Sequence, residues 1–233
     1  MPQTTPALIP AHLGLILDGN RRWAKLQNMP TFEGHRKGYE NLKTIVSAAF
    51  DSGVEYVSAY IFSTENWNRS REEVAYLMKL LLWIAKNEVE EFNKNNVRVR
   101  FLGEDTNLSS KVIKAMRDAE AKTENNNGGT LLLCLNYGGK QEIARAATNI
   151  VIDNPGIKAI TPEMIQEYLY EPQVPDLDLI IRTSGEQRIS NFMLWRAAYS
   201  ELYFVDVHWP AFTVSHLKQA LSDFSERQRR FGS

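Results

Sequence analysis

The sequence predicts an α/β fold, with a single domain built on a mostly parallel central sheet flanked by helices. Three observations support this prediction. Short apolar runs bounded by turn residues alternate with segments of helical periodicity, which is typical of strands joined by crossover helices. The length of 233 residues, with 43% hydrophobic and 24% charged residues, fits one globular domain. The chain also has no internal repeat and no linker long enough to divide it.

The first apolar run, residues 12–17, ends abruptly at Asp18 and predicts a buried strand. The Gly-Asn pair that follows tolerates the positive φ of a tight turn, and a helix can start after it. Asp18 would then lie at the carboxyl end of a strand beside a helix N-terminus, where open α/β sheets bind ligands. Free amides there favour an anion, and Arg21 and Arg22 add two positive charges. The alternative is that Asp18 only caps the helix and that both arginines are solvated.

The later elements follow from the same patterns. Strands are predicted over residues 54–62, 97–102, 131–135, 176–181 and 202–207. The alternation of apolar and basic residues over 97–102 is consistent with an edge strand. Helices are predicted over residues 74–85, 108–122 and 141–151, and after Thr161-Pro162, where proline follows a cap.

The helix over residues 74–85 is apolar on nearly every face. A capping-box pattern of Ser70 and Glu73 marks its start. Such a helix is usually buried on all sides. It could also line an apolar cavity or contact a membrane surface, and these alternatives stay open.

Polar clusters follow four of the predicted strands, and the carboxyl ends of parallel strands share one edge of a sheet. Together the clusters supply a carboxylate, amides, hydroxyl groups and several arginines. Arginine forks match phosphate oxygens, and turn amides add further donors. A carboxylate among cations indicates Mg²⁺ bridging to a diphosphate, since Mg²⁺ takes oxygen ligands and often shares them with phosphate. The clusters comprise residues 18–20, 63–66, 136–139 and 182–188.

Composition and missing motifs argue against several classes of protein. The formal net charge of −1 provides no basic field for nucleic acid. Cys134 is the single cysteine, which excludes a disulfide framework and a thiolate metal cluster. The four histidines lack the H-E-x-x-H spacing of zinc enzymes, and neither nucleotide-binding glycine motif occurs. No signal peptide is recognisable and no run reaches roughly 18 apolar residues, so we expect a cytoplasmic protein.

Seven short motifs occur in a fixed order along the chain. They are residues 18–24 (DGNRRWA), Gly34-His35, 62–69 (FSTENWNR), 136–139 (NYGG), 178–186 (DLIIRTSGE), 188–192 (RISNF) and 201–204 (ELYF). With these motifs the sequence resembles the cis-prenyltransferases, also called undecaprenyl diphosphate synthases. The resemblance runs from about His12 to Gly232, nearly the whole chain.

The resemblance implies an Mg²⁺-dependent transferase that condenses isopentenyl diphosphate onto an allylic diphosphate such as farnesyl diphosphate. Each condensation makes a new Z double bond, and repeated additions give a polyprenyl diphosphate, the precursor of a cell-wall lipid carrier. In this family a helix like that over residues 74–85 walls a hydrophobic tunnel for the growing chain. The resemblance also implies a homodimer, peripheral contact with a membrane at product release, and no nucleic-acid partner.

Roles for single residues are implied by the same resemblance. Asp18 matches the essential aspartate that works with Mg²⁺, and Glu201 matches the second metal-associated carboxylate. Asn66, with Ser63, matches polar residues proposed to help remove the proton. Arg182, Arg188 and Ser190 match the isopentenyl diphosphate site. The other residues implied to bind substrate are Gly19, Asn20, Arg21, Arg22, Trp23, His35, Thr64, Glu65, Trp67, Arg69 and Ile189.

We expect a flexible N-terminal segment at residues 1–11 and a catalytic domain over residues 12–233. Arg230-Phe231-Gly232 matches a motif that reaches the site of the neighbouring subunit. Thr31 and Gln187 depart from the family pattern, which affects substrate contacts. Ile61 stands where long-chain members commonly have a small residue on the tunnel wall, and strand alternation should turn it towards the tunnel.

A non-catalytic subunit and a diphosphate hydrolase are the two alternatives to a cis-prenyltransferase. A non-catalytic partner subunit of a prenyltransferase pair would keep the fold and lose the catalytic loop. The presence of Asp18, Asn66 and Arg182 argues against it. A diphosphate hydrolase could use the same anion site, and its product would distinguish it.

Overall fold

A sheet of six parallel strands forms the centre of the computed structural model, which describes residues 8–227. The order across the sheet is β3-β4-β2-β1-β5-β6. The parallel α/β architecture predicted from the sequence is confirmed, and β3 is an edge strand as its basic residues indicated. The strands are β1 His12–Ile16, β2 Tyr56–Ser63, β3 Arg98–Leu102, β4 Thr130–Tyr137, β5 Leu179–Arg182 and β6 Glu201–Phe204.

Helices connect these strands and cover both faces of the sheet. The α-helices are α1 Asn20–Leu26, α2 Thr31–Asp51, α3 Arg71–Asn87, α4 Val89–Lys94, α5 Ser110–Lys122, α6 Gly139–Asp153, α7 Pro162–Tyr168 and α8 Val214–Glu226. Short 3₁₀ segments lie at Thr64–Asn68 and Trp209–Ala211. Within residues 8–227, no helix has the length and apolar character needed to span a bilayer.

Three of these helices were not predicted in full. The patterns above predict no range for α2, although it runs for 21 residues. Helix α4 has six residues, which is too short for an apolar period to appear. Helix α8 starts with a capping box between Thr213 and His216, whose ring replaces the usual Glu or Gln.

The chain is anchored as it enters the sheet. The amides of Ala11 and His12 both donate to the Asp178 carboxylate, at 2.8 and 3.1 Å. The carbonyl of Ala11 accepts from the amides of Glu55 and Tyr56. The boundary predicted between residues 11 and 12 therefore falls inside a hydrogen-bonded segment, and residues 1–7 lie outside the described part of the chain.

Strand register brings the polar clusters together. At the carboxyl edge of the sheet Ile16 pairs with both Tyr60 and Arg182, and Ser63 pairs with Tyr137. The loops after β1, β2, β4 and β5 therefore begin beside one another, as the parallel topology requires.

Candidate active site

A cavity of about 800 Å³ opens at this edge and runs between the sheet and helices α2 and α3. Its mouth is polar, with Asp18, Arg21, Arg22 and Arg69 among its lining residues. Its interior is apolar, so one continuous space joins a polar mouth rich in arginine to an apolar interior. Six of the interior residues are Leu42, Ile61, Leu77, Leu81, Ile84 and Leu133.

The cavity bears on two features considered from the sequence, the apolar helix α3 and Ile61. Helix α3 contributes Leu77, Leu81 and Ile84 to the wall, so the cavity interpretation of this helix is confirmed. Ile61 also lines the cavity, as strand alternation predicted, although the register of β2 shifts between Tyr60 and Phe62.

Asp18 lies at the mouth, and its carboxylate is shared between two arginines. Oδ2 accepts from Nη2 of Arg182 at 2.9 Å, and Oδ1 accepts from Nη2 of Arg22 at 3.1 Å. Burial opposes ionisation, but the hydrogen bond and charge of Arg182, together with Arg22, outweigh it and lower the pKa of Asp18 below its usual range. The carboxylate is therefore ionised at neutral pH and remains 29% exposed. Gly19 is the N-cap of α1, without a side-chain cap, so the interpretation of Asp18 as a helix cap is wrong.

The turn after Asp18 has no room for a side chain. Gly19 has a φ of 101°, and a Cβ there would lie 2.7 Å from Ser184 Oγ and 2.8 Å from His208 Nδ1. Ser184 Oγ and His208 Nδ1 lie 2.7 Å apart and hydrogen-bond to each other. The carbonyl of Asp18 accepts from Thr183 Oγ1 at 2.7 Å. The turn is thus held by the loop after β5 and by the segment before Trp209–Ala211.

Helix α1 packs against α2 through two glycines. A Cβ at Gly34 would lie 2.2 Å from the carbonyl oxygen of Asn20, and a Cβ at Gly38 would lie 2.3 Å from its Oδ1. Any side chain at either position would push α1 away from α2 and shift the Asp18 turn. Asn20 therefore acts as the contact between the turn and the long helix.

Glu73 gathers three basic side chains at the mouth. Its carboxylate accepts from Arg69 Nη1 at 2.9 Å and lies 3.2 Å from His35 Nε2 and 3.5 Å from Arg21 Nη1. Its amide donates to Ser70 Oγ, so the predicted cap of α3 is present. The Glu73 carboxylate, however, turns to the mouth. Burial lowers the pKa of His35 despite the hydrogen bond to Glu73, so this ring is neutral at pH 7.

Arg182 lies behind Asp18 and connects it to a second loop. Its side chain is 5% exposed, and Nη1 donates to Ser190 Oγ at 2.8 Å and to the carbonyl of Arg188. Arg188 is 59% exposed and pairs with Glu186. Ser190 has a positive φ of 48°, which turns the loop back towards Arg182.

The segment after β2 joins three strand ends. Asn66 lines the cavity, and its Oδ1 accepts from the amide of Ser63 at 3.2 Å. Trp67 Nε1 donates to Oδ1 of Asn136, near the end of β4, at 2.7 Å. Glu65 accepts from Asn191, in the loop after β5, at 3.1 Å.

The predicted site residues thus fall into two groups. Those that line the cavity are Asp18, Gly19, Asn20, Arg21, Arg22, His35, Asn66 and Arg69. Those that support the mouth or lie beyond Asp18 are Trp23, Ser63, Thr64, Glu65, Trp67, Arg182, Arg188, Ile189 and Ser190.

Glu201 lies apart from both groups. It starts β6 and pairs with Leu179, which pairs with Leu13 at the amino edge of the sheet. Leu13 and Ile16, the last residue of β1, lie about 10 Å apart along the strand, at about 3.3 Å per residue. Asp18 lies beyond Ile16 and is therefore further still from the level of Glu201. The Glu201 carboxylate accepts from Arg227 Nη1 at 2.6 Å. Within one chain the structure therefore does not bring Glu201 and Asp18 to one ion.

A divalent ion fits the mouth through Asp18 and substrate. Residues 8–227 hold no group of three or more acidic, histidine or cysteine side chains suited to a metal. Mg²⁺ is commonly held by one or two carboxylates while phosphates and water complete its shell. The ionised, partly exposed Asp18 meets that requirement once a diphosphate lies beside it.

Sequence reasoning missed two residues of this site. Glu73 was recognised only as part of a cap, because its role depends on three side chains from other elements. His208 contacts the turn through Ser184, and nothing in its local sequence indicates this.

Comparisons with known proteins agree with this geometry. Residues 16–232 match the family model described as putative undecaprenyl diphosphate synthase. An isoprenyl transferase of Thermotoga maritima is 46% identical, covering 96% of this chain and 97% of that protein. A trans,polycis-polyprenyl diphosphate synthase of Thermobifida fusca, (2Z,6E)-farnesyl diphosphate specific, is 43% identical, covering 99% of this chain and 83% of that protein. The crystal structure of lavandulyl diphosphate synthase from Lavandula x intermedia in complex with dimethylallyl diphosphate matches with a TM-score of 0.90 and 31% identity, covering 97% of this chain and 99% of that chain.

The cationic mouth predicts measurable affinity for inorganic diphosphate. Arg21→Ala should weaken binding about 10-fold or more, since a hydrogen bond to a charged group contributes about 1.5–3 kcal/mol. Arg117→Ala is the matched control, because Arg117 pairs with Asp105 and Glu120 away from the cavity. Titration calorimetry gives both affinities. Equal affinity in the two variants would show that the mouth does not bind the anion.

Proposed function

The chain belongs to the undecaprenyl diphosphate synthase family of prenyltransferases, and we propose how its site carries out cis-prenyl chain elongation. The reaction condenses isopentenyl diphosphate with an allylic diphosphate, and each addition creates a new Z double bond. The observation that carries the proposal is that one cavity of about 800 Å³ joins a cationic mouth to an apolar interior. Diphosphate hydrolysis would need the mouth alone, so the apolar interior favours chain growth.

The allylic diphosphate binds at the mouth in this proposal. Arg21 and Arg22 bind its oxygens, and His35 on α2 and Arg69 just before α3 orient it. As the carbon–oxygen bond breaks, negative charge grows on the departing diphosphate. Groups already fixed around that charge stabilise the transition state without reorganising.

Isopentenyl diphosphate binds on the other side of Asp18. Arg188 and Ser190 form its anion site, with the Arg182 guanidinium buried behind them. Asp18 is bonded to both Arg182 and Arg22, so it holds the two anion sites at a fixed separation. Fixing two reactants in attack geometry supplies a large part of a bimolecular rate enhancement.

Carbon–carbon bond formation leaves a proton to be removed from the isopentenyl unit. Asn66 and Ser63 are the polar groups proposed to guide that proton towards the departing diphosphate. Trp67 lies beside them, with its ring edge against Phe62 and its nitrogen bonded to Asn136. The apolar wall excludes water from the reacting carbons.

The family generally uses a divalent metal, and we propose that the metal here is Mg²⁺. Asp18 would hold it together with the diphosphate oxygens. When bound, the ion neutralises charge on the leaving diphosphate. The role of Glu201 as a second ligand stays a prediction, which a single chain does not fulfil.

Asp18→Ala tests this mechanism directly. The variant should fold and lose turnover by on the order of 10²–10³, because one preorganised charge-stabilising group is removed. Farnesyl diphosphate, labelled isopentenyl diphosphate and Mg²⁺ are incubated with each protein, and chromatography resolves the products. Circular dichroism checks the fold. A folded variant with near wild-type turnover would contradict the mechanism, and release of inorganic phosphate without chain growth would indicate a hydrolase.

We also propose that the protein is a homodimer whose sites are shared. The motif Arg230-Phe231-Gly232 lies outside the described residues, and it follows Arg227, which is bonded to Glu201 on the edge strand β6. Truncation after Gln228 should leave a folded protein and raise the apparent KM for isopentenyl diphosphate. Steady-state kinetics at matched protein concentrations measures this. Unchanged kinetics would make the tail an ordinary solvated terminus.

Product release is proposed to occur at a membrane surface. Leu26, Met29 and Phe32 are 70%, 44% and 46% exposed at the α1–α2 corner, and Met29 and Lys25 line the cavity mouth. Leu26→Ser with Phe32→Ser should reduce co-flotation with vesicles that contain anionic lipid. Val151→Ser with Ile152→Ser is the matched control, since these exposed residues lie on α6. Equal flotation of both double variants would refute this contact surface.

A further inference from the structure

Helix α2 separates the main cavity from a second, outer groove. His35, Gly38 and Leu42 lie on the cavity side, at the i, i+3, i+7 spacing of one helix face. The opposite side contributes to a surface groove of about 590 Å³. Its lining residues on α2 include Glu40, Lys43, Thr44 and Ser47.

Phe92 is the one residue, within the described chain, that lines both spaces. It lies on α4, is 8% exposed, and its carbonyl accepts from the amide of Val97, just before β3. The mouth and Phe92 lie at opposite ends of the cavity. Leu131 of the wall is level with Leu13, five residues before Asp18, so the cavity extends roughly 15 Å along the sheet.

An ion-pair cluster outside the cavity fixes the element that carries Phe92. Lys43 Nζ donates to Glu88 Oε2 at 2.6 Å and to Glu91 Oε2 at 2.8 Å. Glu88 is the junction residue between α3 and α4, and its carbonyl accepts from the amide of Phe92 at 3.3 Å. Lys43 is 27% exposed and Glu88 is 14% exposed, so this pair is shielded more than an ordinary surface pair.

The cluster also touches the cavity wall. The Lys43 ammonium lies 5.6 Å from the ring centroid of Tyr39, which lines the cavity. Burial of Lys43 opposes its charge, but the hydrogen bonds to Glu88 and Glu91 outweigh burial and raise the pKa of Lys43. The ammonium therefore stays charged throughout the neutral range.

We propose that Phe92 is the floor of the hydrocarbon cavity and that the Lys43–Glu88–Glu91 cluster holds this floor shut. The cluster thereby sets the length at which the polyprenyl chain stops growing, although none of its members binds substrate. Lys43 is a positioning residue in this scheme, and Phe92 determines specificity. The inference rests on the proposed chain-elongation function and goes beyond it in assigning the length limit to contacts outside the cavity.

Phe92 separates the main cavity from the outer groove, and both spaces have apolar residues in their lining. Behind Phe92 the groove is lined by Val46, Phe50 and Val97 together with polar and charged side chains such as Ser47 and Asp51. A hydrocarbon that passes the floor would therefore continue along partly apolar wall. Phe101 is the contrasting wall residue, because charged side chains such as Arg100, Arg117 and Glu120 make up most of the lining of the groove behind it. A hydrocarbon entering there would displace water from those charged side chains, which costs free energy.

The test compares product lengths from farnesyl diphosphate and labelled isopentenyl diphosphate. Phe92→Ala should shift the distribution up by at least one five-carbon unit, and Phe92→Leu should shift it less while preserving the core. Lys43→Met should broaden the distribution towards longer products, because α4 loses its ion pairs with α2. In Lys43→Met the rate of the first addition should stay within about twofold of wild type, since the mouth lies roughly 15 Å away. A merely destabilised protein would instead lose rate at every length.

Two controls separate the possible results. Lys114→Met removes an exposed pair with Asp118 on α5 and should change nothing. Phe101→Ala removes the same side chain from another wall and should not lengthen the product. Equal lengthening in Phe101→Ala, or wild-type lengths in folded Phe92→Leu and Phe92→Ala, would overturn the floor assignment. Wild-type lengths in Lys43→Met would overturn the role of the cluster. Absence of chain growth in the wild type would instead refute the proposed function itself.

Discussion

The bond between Asp18 and Arg182 is the interaction on which the rest of the site depends. It joins the end of β1 to the end of β5, and the same carboxylate also accepts from Arg22 on α1. Arg182 is 5% exposed, so loss of its partner would leave a buried charge uncompensated. The carboxylate nevertheless stays partly open to ligands. One side chain thus fixes two loops and still has oxygen lone pairs for a bound ion.

Helix α2 connects the turn after Asp18 with the far end of the cavity. Near its start, Gly34 and Gly38 admit the backbone and side chain of Asn20, which fixes α1. One turn further, Leu42 lines the hydrocarbon space, and Lys43 ties the helix to the α3–α4 junction. A displacement of α2 would therefore alter the anion mouth and the cavity floor together. The proposed substrate binding and the proposed limit on product length therefore both depend on the position of this one helix.

The sequence predicted the parts of the site that topology dictates. Asp18, Asn66 and Arg182 follow apolar strands, and parallel strands place their carboxyl ends at one edge. Contacts made by side chains from distant elements were beyond sequence patterns, as the mouth contacts of Glu73 show. For Glu201 the role implied by the family resemblance and the position predicted from the strand pattern disagree. It precedes its apolar run, so the parallel order itself places it at the opposite edge of the sheet from Asp18. The resemblance to a family supplied a role that the local pattern contradicts for a single chain.

The pairing of β1 with β5 also has a consequence for folding. The central strand of the sheet hydrogen-bonds to a partner that lies about 166 positions later, as in the register of Leu13 with Leu179. Contacts of such large sequence separation form slowly, because the intervening chain must be ordered before they are made. A ribosome-bound chain that has not yet exposed residue 182 cannot assemble the diphosphate site. Diphosphate binding therefore selects fully folded molecules, and by mass action it stabilises them against unfolding.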